Sequence, residues 1–170
     1  MINIFLKYRL KKLSELFVRE KIFREYKDIR KVLLLFDIED FSAVENFIAT
    51  LNAEDKEVTA YSVDLKKNVY PQLSDNFKIW DKQKLDMFGV PKKEDISLFK
   101  KESADVLIDL TNSSSLVQKY LFLNASVNYR VGFNRENAMN YDMLIERNLD
   151  HDFSFFADQL LFYMKSLRSK

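Results

Sequence analysis

The chain has no cysteine, two glycines, two prolines and one histidine in 170 residues. Without cysteine there is no disulfide, no thiolate nucleophile and no cysteine-ligated zinc or iron–sulfur centre. The same lack fits a reducing cytoplasm. The glycines are Gly89 and Gly132, and neither follows the first predicted strand. The turn that lets backbone amides approach a phosphate is therefore missing, so nicotinamide, flavin and P-loop nucleotide binding are not expected. The lone histidine, His151, sits between Asp150 and Asp152, where a surface helix terminus accounts for it better than metal or acid–base chemistry. Ser113, Ser114 and Ser115 stand outside any Gly-x-Ser-x-Gly sequence, so no Ser-His-Asp site can be defended. No apolar run approaches the ~20 residues that span a bilayer, and the start, MINIFLKYRLKK, lacks the features of a signal peptide. The expectation is a cytoplasmic protein, with the inner membrane as a surface it can touch from that side.

What is present is apolar and aromatic. Hydrophobic residues make up 47%, with fifteen Phe and eight Tyr, against 31% charged residues, which is the composition of one globular domain with a real core. The net charge of +1 conceals an asymmetry. Residues 1 to 31 hold ten Lys or Arg against four acids, a net of +6, which leaves −5 for the remainder. Leu6, Leu10, Leu13 and Phe17 recur at helical spacing, followed by Ile22 or Phe23 and Tyr26, with no Gly or Pro between them. This predicts a basic amphipathic helical extension over residues 1–30, ahead of a single α/β domain over 31–170. Its apolar stripe can dock on its own domain, on a protein partner or on a second copy. Alternatively the helix rests on an anionic membrane surface, where each nearby base adds ~1 kcal/mol. Glu15, Glu20 and Glu25 among the bases favour docking. A nucleic-acid partner is not expected, because the remainder is acidic.

From Val32 onward strands alternate with helices. Val32 to Phe36 reads as a buried strand that exits through Asp37-Ile38-Glu39-Asp40. Ser42 and Glu45 have capping-box spacing, and Val44, Phe47, Ile48 and Leu51 form a helical stripe as far as Asn52. Glu57 to Val63 is a second strand, Lys66 to Asn76 with Pro71 a loop with a turn of helix, and Phe77 to Trp80 a third strand. Pro91 is placed to start a helix that points Ile96 and Phe99 inward. Asp105 to Leu110 is the fourth strand, and Leu116, Tyr120 and Leu123 mark a helix. Arg130 to Phe133 and Asp142 to Ile145 are the fifth and sixth strands. A closing helix runs from about Asp152 to Leu167, capped by Asp150 or Asp152. The class is α/β: a three-layer, open, mainly parallel sheet of five to six strands, Rossmann-like, with the N-terminal amphipathic helix added.

In such a sheet ligands bind beyond the strand carboxyl ends, where the winding reverses. With strand order 3-2-1-4-5-6 that point brings Asp37, Glu39 and Asp40 near Asp109, Thr111, Asn112 and Ser113. Asp37 and Asp109 are then the candidate catalytic carboxylates and the others candidate ligand contacts, with magnesium as the ion a hydrolase would use there. Alternatively, Asp40 or Ser42 and Thr111 or Asn112 cap helices, while Asp37 and Asp109 accept turn amides. Arg130, Asn134 and Arg135 around Gly132 offer an anion contact at the fifth strand, or ordinary loop solvation. Trp80, Phe88 and Tyr141 line a pocket or belong to the core. An apolar strand ending in Asp-x-Glu is similar to the first motif of haloacid-dehalogenase-like phosphatases. Those enzymes need a second Asp where this chain has Glu39, and a Lys and a late acidic pair with no counterpart here.

The stretches Asp86-Met87-Phe88-Gly89-Val90-Pro91, Ala104 to Leu110, Ala125-Ser126, Arg130-Val131-Gly132-Phe133 and Tyr141 to Ile145 resemble an uncharacterised bacterial α/β family of about this length. That resemblance implies the fold and carries no activity. Asp105 to Phe133 is also similar to the N-terminal half of heptosyltransferase-type glycosyltransferases, in which a strand ending Ile-Asp-Leu leads through a helix to an Arg-Val-Gly-Phe-like strand. Here Asp-Ile-Glu-Asp replaces the glycine-containing turn, and the half that supplies the nucleotide-sugar site is missing. The resemblance therefore implies a related half-fold without independent glycosyl transfer. The residues favour a non-catalytic domain that binds a partner or a membrane surface through its N-terminal helix. The alternative is a small-molecule or nucleotide-sugar-related enzyme, a glycosyltransferase-like half-fold or a metal-dependent hydrolase, working through the acidic strand ends.

Overall fold

Val32, Leu33, Leu34 and Leu35 are buried whichever way they point, as a strand covered on both faces must be. They form β1 (Lys31–Leu35) of a computed structural model that describes residues 4–66, 70, 73–112, 115–133, 139–147 and 150–168. β1 pairs with β2 (Glu57–Val63) on one side and β4 (Val106–Asp109) on the other. β3 (Phe77–Trp80) lies beyond β2, and β5 (Arg130–Gly132) and β6 (Met143–Leu144) lie beyond β4. The order is β3-β2-β1-β4-β5-β6 and every pairing is parallel. The expected class stands, with six strands among the described residues, and the order meets the condition on which the meeting of the strand-end acids depended.

Alternate side chains of the strands feed two cores. Val32, Leu34, Val58, Ile108 and Val131 face α2 (Phe41–Ala53) and α5 (Phe153–Ser166). Leu33, Leu35, Tyr61 and Leu107 face α1 (Ile4–Glu15), α3 (Lys93–Phe99) and α4 (Leu116–Asn124). α1 packs over α4, which is why α4 is buried nearly all round, Gln118, Phe122 and Asn124 included, and not along one stripe only.

Local details depart from the sequence expectation for physical reasons. Ser42 and Glu45 form no capping box, because a single 3-10 turn (Ile38–Asp40) runs straight into α2 and Phe41 is already helical. α3 starts at Lys93, since Pro91 is held in a bridge to Leu85. The Lys66 to Asn76 loop lies partly outside the described residues.

The largest departure is at the N-terminus. The helix does not continue through Tyr26 but ends at Glu15, and the chain to Glu25 runs non-helically past the N-terminal ends of β5, β6 and β4. Arg19 holds it there, forking onto Asp142 at 2.8 and 3.0 Å and donating to the carbonyls of Asn140 and Asn128. Phe23 meets the Tyr129 ring edge-on at 5.5 Å, and Arg24 lies 3.8 Å from Asp105. Lys56 then donates to the carbonyls of Tyr26 and Ile29 at 3.0 and 2.8 Å. These tertiary bonds outweigh local helix propensity, which is worth only tenths of a kcal/mol per residue, roughly.

Candidate functional site

The winding reverses between β1 and β4, where Leu35 lies opposite Asp109. Asp109 is buried, and its Oδ1 accepts from the Thr111 amide at 3.0 Å and the Thr111 hydroxyl at 2.7 Å. The Tyr141 hydroxyl donates to its Oδ2. Asp37, two residues beyond β1, accepts from the Asn112 amide at 2.7 Å. The neighbouring Phe36 carbonyl accepts from Gln118 Nε2 at 2.6 Å and Ser62 Oγ at 2.7 Å. Asp64, at the end of β2, accepts from the Lys66 amide at 2.7 Å and from the Tyr70 hydroxyl. Asp109 and Asp64 thus close their own turns, as carboxylates beside free backbone amides do, while Asp37 reaches across to the turn that follows β4.

Burial pushes the Asp109 carboxyl up from its ordinary range, against the donors of Thr111 and Tyr141, and the charge of Asp37 adds to it. Tyr141 is pushed up as well, first by burial and then by Asp109. Gly132 allows this closeness: a Cβ there would stand 2.5 Å from the Asp109 carbonyl oxygen and 2.7 Å from the Tyr141 ring. Asp40 is half-buried and also raised, by burial, with Arg147 opposing. Glu39 is exposed and reaches Lys66 at 3.8 Å. Thr111 is buried beneath the cluster and Asn112 is exposed at its rim, while the caps of α4 and α5 are Ser115 and Asp152.

The structure therefore brings together Asp37, Asp109, Thr111 and Asn112, with Glu39 and Asp40 alongside. Ser113, Asn134 and Arg135 lie outside the described residues. Arg130 does not join this cluster. It opens β5 at the other end of the strand, and its guanidinium donates to the carbonyls of Phe122, Ala125 and Val127 at 2.7, 2.7 and 3.0 Å. The rings of Phe17 and Phe122 lie 4.7 and 4.8 Å from it. Burial lowers its pKa to about 10, yet it still caps the C-terminal end of α4 as a cation. Trp80 and Tyr141 belong to the core, and Phe88 is exposed. Tyr141, Gln118 and Ser62 were the members of the network that spacing alone did not reveal.

Among the described residues no three His, Asp or Glu are grouped to hold a metal ion. Both oxygens of Asp109 and Oδ2 of Asp37 are engaged with amides and hydroxyls, an arrangement that does not fit magnesium, which takes ionised carboxylates and water. A cleft of about 340 Å³ opens beside β3 over Tyr61, Trp80 and Phe99. Its rim charges pair with each other, Lys78 with Glu102 at 2.5 Å and Lys84 with Asp95 at 2.7 Å.

A different surface is left open. α1 buries Leu6 and Leu10, and its opposite side presents Ile4, Phe5 and Tyr8 to solvent at 74%, 60% and 67% exposure. Asp86 builds the adjoining turn by accepting from the amides of Phe88 and Val90 at 2.9 and 3.0 Å, and Gly89 closes it at φ 69°. Met87 and Phe88 project from this turn, and the Phe88 ring lies 5.0 Å from that of Phe5. Lys7, Arg9, Lys11 and Lys12 are all exposed on the same helix. Its single acid, Glu15, stands 4.0 Å from Lys11. No helix among the described residues is long and apolar enough to cross a membrane.

A model for a family of unknown function (DUF6913) matches residues 3–167. Neither the curated proteins nor the solved structures give a match.

Proposed function

The chain belongs to the DUF6913 family, and since that family lends no activity, we propose from its own side chains that this is a non-catalytic domain resting peripherally on an anionic membrane surface. The contact element is the outer face of α1 with the Asp86–Val90 turn. The observation that carries the reading is one juxtaposition: five projecting apolar side chains, Ile4, Phe5, Tyr8, Met87 and Phe88, beside four exposed bases. Side chains that project, and do not line a groove, suit insertion among lipid headgroups, while Lys and Arg stems lie along the interface with their charges in the headgroup layer. The helix can do this while docked, because its leucine stripe and its outer face are different sides. The bacterial cytoplasm is the compartment this reading assigns, one that suits a chain without cysteine. The engagement of both Asp109 oxygens and of Asp37 Oδ2 with turn amides and hydroxyls supports this reading over the hydrolase alternative.

With ~1 kcal/mol per base near the surface, attachment is reversible and weakens with salt. The test is co-sedimentation of the full chain with vesicles of phosphatidylcholine alone and with phosphatidylglycerol added, at low and high salt. Binding is expected only to the anionic vesicles and is lost at high salt. Lys11→Glu with Lys12→Glu should weaken it by ~30-fold or more, and Met87→Asp should weaken it without changing the melting temperature. Equal binding to both vesicle types, or to neither, overturns the membrane reading. In the second case an acidic protein becomes the partner to seek for this face.

A further inference from the structure

α5 carries a second exposed aromatic face, on the other side of the sheet from α1, with its Phe155 covered in part by the His151 ring stacked on it at 4.0 Å. Its inner stripe, including Phe153, Phe156, Leu160 and Met164, is buried. Outward it presents Phe155, Phe162 and Tyr163, with Phe162 at 66% exposure. At 100° per residue, about 3.6 residues per turn, Asp158 and Lys165 fall along one edge of this face and Gln159 and Ser166 along the other. In each pair the two residues are seven positions apart, and the two pairs together are centred on Phe162.

That spacing is self-complementary. Turn a second copy about a two-fold axis through Phe162, and the two α5 helices lie antiparallel. Asp158 of each copy then meets Lys165 of the other, Gln159 meets Ser166, and the Phe162 rings meet on the axis. Lys165 already stands 2.6 Å from Glu54. Its ammonium has donors to spare, so it can bridge Glu54 and the arriving Asp158. Antiparallel helices also set their dipoles favourably. We infer that the protein self-associates through α5 as an antiparallel two-fold dimer, its occupant being a second copy of this chain. One helix face on another falls at the small end of specific interfaces, roughly 1,200 Å² or less in total, so the dimer dissociates on dilution.

The test is sedimentation equilibrium of the full chain across a concentration series. A monomer–dimer equilibrium is expected, weakened at least tenfold by Phe162→Asp, whose site is exposed, with the melting temperature as the check on folding. Asp158→Lys alone and Lys165→Asp alone should each be monomeric, and an equimolar mixture of the two should associate, because both cross-pairs then become attractive. Because the chain lacks cysteine, Phe162→Cys gives a clean second readout. It should cross-link to itself under mild oxidation, and Phe155→Cys, away from the axis, should not. A monomer at every concentration, a mixture that stays monomeric, or faster cross-linking at residue 155 than at 162 overturns the proposal.

Discussion

Asp109 has no oxygen left over: Thr111 occupies one twice and Tyr141 the other. Because burial raises its folded-state pKa above the unfolded value of about 4, the native state holds a proton there that the unfolded chain releases. Its contribution to stability is therefore full at low pH and is lost as pH rises from about 4 through the folded pKa. Asp109→Asn keeps an acceptor for Thr111 and cannot ionise. Its stability relative to the parent protein should climb with pH by at most ~1.4 kcal/mol per unit, as read by urea unfolding from about pH 4 to 8. Parallel curves would mean that the folded carboxyl is ionised throughout. Arg130 gives the second residue-scale expectation. Arg130→Met strands three carbonyls and should cost ~3–5 kcal/mol in denaturant unfolding. Arg130→Lys should not rescue it, because an ammonium cannot reproduce the planar fork. The meeting of Asp37 with Asp109 was legible in the sequence only on condition of the strand order, since adjacent parallel strands deliver their C-terminal residues together and nothing in the apolar runs says which strands are adjacent. The partners that absorb them were not, because Tyr141 lies 32 residues from Asp109 and no periodicity encodes that contact. Arg130 reads on paper as a loop cation because the C-terminus of α4, which it caps, is a tertiary neighbour.

Among the elements, the strands and the helices from α2 onward were legible almost to the residue: each apolar run had the length of a strand and each stripe the spacing of a helix. The N-terminal extension was legible only as far as Glu15. Its apolar residues continue at similar intervals, yet Phe17 and Phe23 turn towards Arg130 and Tyr129, and a pattern of spacing cannot distinguish an inward stripe from residues pinned one at a time. Arg19 is the pin that matters most. Its side chain is 7% exposed and its fork engages both oxygens of Asp142, which in turn receives the Arg130 amide at 2.8 Å. Arg19→Ala should cost ~3 kcal/mol and raise amide hydrogen exchange across residues 16–30 before it affects β1. Uniform protection loss over the whole sheet would instead mean that this segment opens only with global unfolding.

At the scale of the whole molecule, the strand order β3-β2-β1-β4-β5-β6 puts α1 on one side of the sheet and α5 on the other. It also makes the first part of the chain the last to find its place. Arg19 and Asp142 are 123 positions apart, and Leu6 and Leu10 rest in a core that needs α4, residues 116–124. On the ribosome, α1 leaves the tunnel long before anything exists to cover it. For most of translation this short basic segment stands with its leucines and outer aromatics both free. A stall before α4 is made would leave that segment adhesive on every side, and the arrival of α4 is what reduces it to one.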